Sequence, residues 1–205
     1  MNCNQLMTAA NISAELAARW IGPLSAAMSE FGILKVTDQA MFIAQAGHES
    51  SGFSRLVENL NYSPEGLLKV FPKYFNAEKA EKYGRTIKHS ADQRAIANIV
   101  YGQRMGNTKP DDGWIYRARG LIGITFASNY RACGDALGLD LLLVPTLLEQ
   151  DEYAARSAAW FFTSKGCLNY SGNVSRVTNI INSGNNGLKD RRVRYKKALA
   201  VLDGA

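Results

Sequence analysis

At 205 residues, with 46% apolar and 20% charged content, the chain can bury a sizeable core and suits one domain; that balance excludes a disordered polymer. No stretch reaches the roughly 18 uninterrupted apolar residues of a bilayer span, so stable membrane insertion is not expected. The formal charge of +6 predicts an anionic partner: nucleic acid, a membrane surface, or a bacterial wall carrying carboxylates and phosphates.

The N-terminus, MNCNQLMTAANISAELAARW, has its first positive charge at Arg19 and no basic leader ahead of an apolar core, so a secretory signal is not expected. Three cysteines, Cys3, Cys133 and Cys167, are an odd number without metal-ligand spacing and read as free thiols of a reducing cytoplasm. Cys133 and Cys167 stand among apolar neighbours as small core residues. Ile12, Leu16, Trp20, Leu24 and Met28 recur at helical intervals, with Pro23 marking a boundary. Thr37 and Asp38 suit the cap of a helix through Met41, Phe42 and Ala46 to about Ser50. A short helix stopped near Pro72 follows, then a polar helix ending before Gly84, then a capping-box pattern at Ser90 and Gln93 ahead of AIANIVYGQRM. From Asn107 to Gly123 turn formers dominate and predict loop with short extended segments. Helical patterns resume in NYRACGDALG, DEYAARSAAWFFTSKG, VSRVTNIIN and LKDRRVRYKKALAVL. The expected fold is mainly α, with any sheet small and local to the middle. Residues 189–197 carry six basic residues against Asp190, and a solvated helix face is the default reading of such a run.

Several chemistries drop out by subtraction. His48 and His89 fall in no zinc pattern, and neither a P-loop, a GxGxxG nor a GxSxG elbow is present. RNA-recognition and zinc-finger signatures are missing too, which leaves nucleic-acid binding resting on charge alone. What stands out is AQAGHESSGFSRLVENLNY, where Glu49 and Glu58 lie nine residues apart around a glycine-containing turn. Glu49 falls on the helix face of Phe42 and Ala46, near a helix C-terminus; both settings disfavour its charged form and suit a general acid. Glu58 lies among amide and phenol neighbours, a polar setting in which a carboxylate stays ionised. One protonated and one ionised carboxyl across a cleft is what glycoside hydrolysis needs. For His48, packing or hydrogen bonding is the simpler role, since the sequence identifies no partner.

GHESSGF resembles the glutamate motif of glycoside hydrolase family 19, which contains plant-type chitinases and many phage endolysins. ENLNYSPEGLLKVFPKYF, IANIVYGQRMGN, DDGWIYRARGLIGITFASNY and TNIINSGNNGLKDRRVRYKKAL resemble later segments of that family in the right order, covering roughly residues 35 to 200. The resemblance implies a mainly α, two-lobed, lysozyme-like fold with a substrate cleft. Residues 1–205 would form a single catalytic domain, with about 65–110 supplying a smaller helical lobe. It implies inverting hydrolysis without metal or cofactor, Glu49 protonating the glycosidic oxygen and Glu58 activating water, with the carboxyls about 6.5–9.5 Å apart. Thr125 corresponds to a hydroxyl residue that holds the water. Asn129 and Tyr130 match the groove's NY pair, Asn182 the turn asparagine, and Arg191 an arginine whose charge holds the base. Tyr116 and Arg119 match the groove signature, although a buried ion pair explains Arg119 equally well, and Tyr62 lines the cleft or simply packs. Two positions depart from the pattern: Ala118 replaces a glycine, and Gly123 stands where chitinases usually carry a sugar-binding glutamine.

The function expected is that of an endolysin cutting the β-1,4 bond between N-acetylmuramic acid and N-acetylglucosamine in bacterial peptidoglycan. Such a protein is made in the host cytoplasm as a monomer and reaches the wall through a separate holin-type protein. A chitinase is the alternative within the enzyme class, and a non-catalytic wall-binding relative the alternative outside it.

Overall fold

The computed structural model describes residues 1–204; Ala205, included in the domain expected over 1–205, lies outside the described residues. Eleven α-helices form there: α1 Cys3–Ala10, α2 Ala14–Glu30, α3 Val36–Glu49, α4 Pro64–Val70, α5 Ala77–Tyr83, α6 Gln93–Tyr101, α7 Asp112–Ile115, α8 Ala127–Leu137, α9 Asp151–Ser164, α10 Val174–Asn182 and α11 Leu188–Asp203. Two 3-10 turns, Pro145–Glu149 and Cys167–Tyr170, link the later helices. Strand pairing among the described residues is limited to isolated bridges, Val57 with Arg119 and Arg119 with Ile124.

Local chemistry explains where the elements differ from their patterns. Asn2 and Gln5 close a reciprocal capping box that starts α1, a helix too short for periodicity to announce. Pro23 sits inside α2 rather than at its end. An interior proline costs about 3 kcal/mol, which the burial of Leu24 and Met28, about 1.5–3 kcal/mol each, offsets. Neither Thr37 nor Asp38 caps α3; Lys35 occupies that position without a side-chain bond. Asp92, not Ser90, caps α6 through the Ala95 N–H, while Gln93 accepts from the Leu60 N–H instead. The 107–123 stretch holds one short helix, α7, within its loops.

Helix α3 is enclosed from Ala40 to Gly47 and runs against α11, with α1 packed on both. Its Phe42 ring meets Phe162 of α9 edge-on at 5.6 Å. Trp20 of α2, fully buried, donates to the Phe53 carbonyl at 2.9 Å and so pins the turn that follows α3. A separate apolar cluster gathers Leu60, Leu67, Phe75, Ala80, Ile96, Ala97 and Val100, with Trp114 packed against it. A third surrounds Tyr130, Cys133 and Leu148. Burial pushes the Cys133 and Cys167 thiols up to about 12, which keeps them as inert core groups.

Candidate active site

The two glutamates meet because the chain reverses sharply after α3. The Ser50 hydroxyl donates back to the Ala46 carbonyl at 2.6 Å and accepts from the Phe53 N–H at 2.8 Å. Ser51, Gly52 and Phe53 then take left-handed backbone angles, with φ of 54, 72 and 63°. For Phe53 that conformation carries strain, offset by complete burial of its ring. Beyond the turn, residues 56–58 lie along residues 118–120: the Gly120 N–H donates to the Leu56 carbonyl at 2.9 Å, and the Glu58 N–H to the Ala118 carbonyl at 3.1 Å. Glu49, Arg55, Leu56, Val57, Glu58, Ala118, Gly120, Ile122 and Gly123 thereby line one cleft of about 180 Å³.

Glu58 is held from two sides. Its Oε1 accepts from the Ala118 N–H at 2.7 Å, and its Oε2 from the Tyr101 hydroxyl at 2.9 Å. Burial pushes its carboxyl above the ordinary value, partly countered by those two donors and by the charges of Arg117 and Arg119. Burial and the Glu58 charge together drive the Tyr101 phenol far up, so it stays a donor. The setting expected of Glu58 is thus polar in its partners, but burial opposes the ionised form that the expectation favoured.

Glu49 departs from expectation in the other direction. It is exposed as a residue, its side chain 27% accessible, and its Oε1 accepts from Arg191 Nη2 at 2.5 Å. Arg191 is 1% exposed and also donates to Gln45 Oε1 at 2.5 Å and to the Asn186 carbonyl at 3.2 Å. It therefore holds Glu49 rather than Glu58, and its burial keeps it from touching a sugar. The uncharged, apolar surroundings expected for Glu49 are not found.

The remaining candidates scatter around the cleft. Tyr130 is 0% exposed and cannot meet a saccharide; its hydroxyl donates to the Arg117 carbonyl at 2.7 Å and accepts from Arg119 at 3.0 Å. Tyr116 lies outside the cleft lining, its hydroxyl on the Leu142 carbonyl at 3.1 Å and its ring beside Tyr130. Thr125 is also outside that lining and donates to the Gly123 carbonyl at 3.3 Å, while Asn129 donates to the Thr125 carbonyl at 2.8 Å. Tyr62 packs edge-on against Phe71 at 5.5 Å, near enough to Glu58 to feel its charge. Asn182 donates to the Asn186 carbonyl at 2.9 Å, and its enclosed Oδ1 meets no donor among the described residues. Arg119, 4% exposed, pairs with Glu149 at 2.7 Å.

Three residues at the site were not singled out by sequence. Tyr101 ends an amphipathic helix and looks like packing. Gln45 is one more polar letter in α3. Arg55 lies between the two glutamates in the sequence, a position that was the available signal. His48 gains a partner: Nδ1 lies 2.7 Å from Asp190, which also accepts from Arg194 at 2.7 Å. Among the described residues no group of three or more His, Cys, Asp or Glu side chains could hold a metal ion, and no helix is long and apolar enough to cross a membrane.

The structure is similar to chitinase C from Streptomyces griseus HUT6037, with a TM-score of 0.58 at 21% identity over 89% of this chain and 83% of that one. A Zea mays class IV chitinase of family 19 gives 0.54 at 18% identity, over 88% and 78%. The fold is thus the mainly helical, lysozyme-like one of these enzymes. A protein of Haemophilus influenzae strain Rd, described as glycosyl hydrolase family 19 domain-containing, is 40% identical over 183 residues, 88% of this chain and 87% of its own. Chitinase 11 of Oryza sativa subsp. japonica is 29% identical over 147 residues, 64% of this chain and 56% of the rice protein. The protein is a glycosidase of the chitinase-like kind. The model for chitinase class I matches residues 26–191, and the chain belongs to glycoside hydrolase family 19.

Proposed function

We propose that this glycosidase hydrolyses bacterial peptidoglycan between N-acetylmuramic acid and N-acetylglucosamine with inversion, in the manner of an endolysin. The observation that carries the mechanism is that Glu49 and Glu58 line one cleft. Glu58 takes a proton from water as the water oxygen bonds to the anomeric carbon; Glu49 gives a proton to the glycosidic oxygen as the old bond breaks. Both Glu58 oxygens already accept hydrogen bonds, and burial makes it a stronger base than a free glutamate. On Glu49, Arg191 occupies Oε1, which leaves Oε2 to carry the proton. Arg191 acts through Glu49 as a positioning residue. The charge of +6 suits an anionic wall, and Gly123 removes a side chain from the groove. Synthesis in a host cytoplasm as a monomer, and release by a holin-type protein, belong to the same reading.

Mass spectrometry of digested peptidoglycan tests the bond and the chemistry together. Fragments should end in reducing N-acetylmuramic acid, not a 1,6-anhydro sugar. Glu58→Gln should abolish hydrolysis, and azide should restore turnover by giving an inverted glycosyl azide. Azide rescue of Glu49→Gln instead would reverse the two roles. The printed names of the Streptomyces, maize and rice relatives favour chitin as a second reading; turnover of chitin oligomers with no action on peptidoglycan would establish it.

A further inference from the structure

The arginines near the site divide by how they are used. Arg117 stacks over the Trp114 ring at 3.6 Å and donates to the Trp114 carbonyl at 2.8 Å. Arg119 is paired with Glu149, Arg191 with Glu49, and Arg194 with Asp190. Arg55 lines the same cleft as both glutamates, is exposed, and makes no side-chain hydrogen bond or ion pair among the described residues. Its main chain is nevertheless fixed. The Arg55 N–H donates to the Ser50 carbonyl at 2.9 Å, and the next residue, Leu56, is bonded to Gly120. The guanidinium is thus delivered to the cleft by a tied backbone, with its five donors uncommitted. Its charge is felt at Tyr62, where it counters the upward push of burial and Glu58.

One part of the lining is poor in side chains. Ala118, Gly120 and Gly123 supply two hydrogens and a methyl where they meet the cleft. Gly123 has φ of +72°, so a glutamine there would strain the backbone, and any Cβ would stand 3.5 Å from the Ala118 methyl. The two departures from the family pattern therefore adjoin each other, in the cleft that Arg55 also lines.

We infer that Arg55 binds a carboxylate carried on the substrate sugar, and that the space beside Ala118 and Gly123 admits the substituent bearing it. A guanidinium fork matches a carboxylate in bidentate geometry, and a neutral chitin chain offers it no such group. This rests on the peptidoglycan reading above and assigns the residue that would distinguish the two polymers. The carboxylate has two sources, the lactyl ether of muramic acid once freed of peptide, or the stem peptide itself.

Steady-state kinetics of wild type, Arg55→Ala and Arg55→Lys on three substrates test this. Intact glycan strands, strands stripped of stem peptide, and neutral chitin oligomers are the arms. For Arg55→Ala, KM should rise about tenfold on a carboxylate-bearing strand, with kcat little changed. The change on chitin oligomers should be at least five times smaller, and Arg55→Lys should recover part of the loss. A loss confined to stripped strands identifies the lactyl carboxylate; one confined to intact strands identifies the peptide. Equal losses on all three arms, or wild-type KM on both wall substrates, overturn the arginine assignment while leaving the peptidoglycan reading intact. Wild-type protein that cuts chitin oligomers and no wall strand overturns both.

Discussion

At the scale of single residues, the decisive contact is the phenol on Glu58, the proposed base. Tyr101 donates to the ionised form of Glu58 and so pulls its proton affinity down, against a burial that pushes it up. Tyr101→Phe keeps the burial and removes the donor, so the Glu58 pKa should climb further. A base must be ionised to work, so the acid limb of the kcat/KM profile should move to higher pH. The move should be about one pH unit, the worth of a bond to a charged group. An unmoved limb in a pH-rate measurement would show that Glu58 is not the titrating base. Nothing in the local sequence pointed here. The neighbours that made Glu58 look polar, Asn59 and Asn61, are not the groups that hold it; its partners lie 43 and 60 positions further along the chain.

At the scale of elements, α3 and α11 form a clasp that fixes the other carboxyl. Arg191 joins Glu49 and Gln45 from inside, and Asp190 joins His48 beside them. The basic run therefore divides: Arg191 is buried against α3, while Lys189, Arg192, Lys196 and Lys197 stay exposed. The helical period of both elements was legible in sequence, as was the inward side of α3. Their pairing was not, because it joins positions 142 residues apart and a charge run says nothing about which member turns inward. Gly187, at the start of α11, tests the clasp. Its φ is +71°, and a Cβ there would sit 2.2 Å from the His48 ring. Gly187→Ala should cost about 2 kcal/mol or more in stability, through strain and displacement of His48. Denaturant unfolding measures it, and activity should fall with Glu49 dislodged.

At the scale of the whole molecule, the described residues hold a large apolar cluster built on α1, α2, α3, α9 and α11, and a smaller one from Leu60 to Val100. The sequence signalled helices in both regions, yet the split between clusters depends on which faces pack together, and periodicity alone does not tell that. Leu67 is fully buried in the smaller cluster. Leu67→Ala should lose about 2–5 kcal/mol there, and amide exchange should rise across residues 60–101 before it rises in α3. Uniform loss of protection throughout would show that the two clusters unfold as one.

The grip on Glu58 by residue 118 uses the peptide group in both directions, its N–H given to the carboxylate and its carbonyl receiving the Glu58 amide. No atom of the Ala118 side chain takes part. A change of side chain at this position can therefore reshape the groove wall while the hold on Glu58 stays where it was.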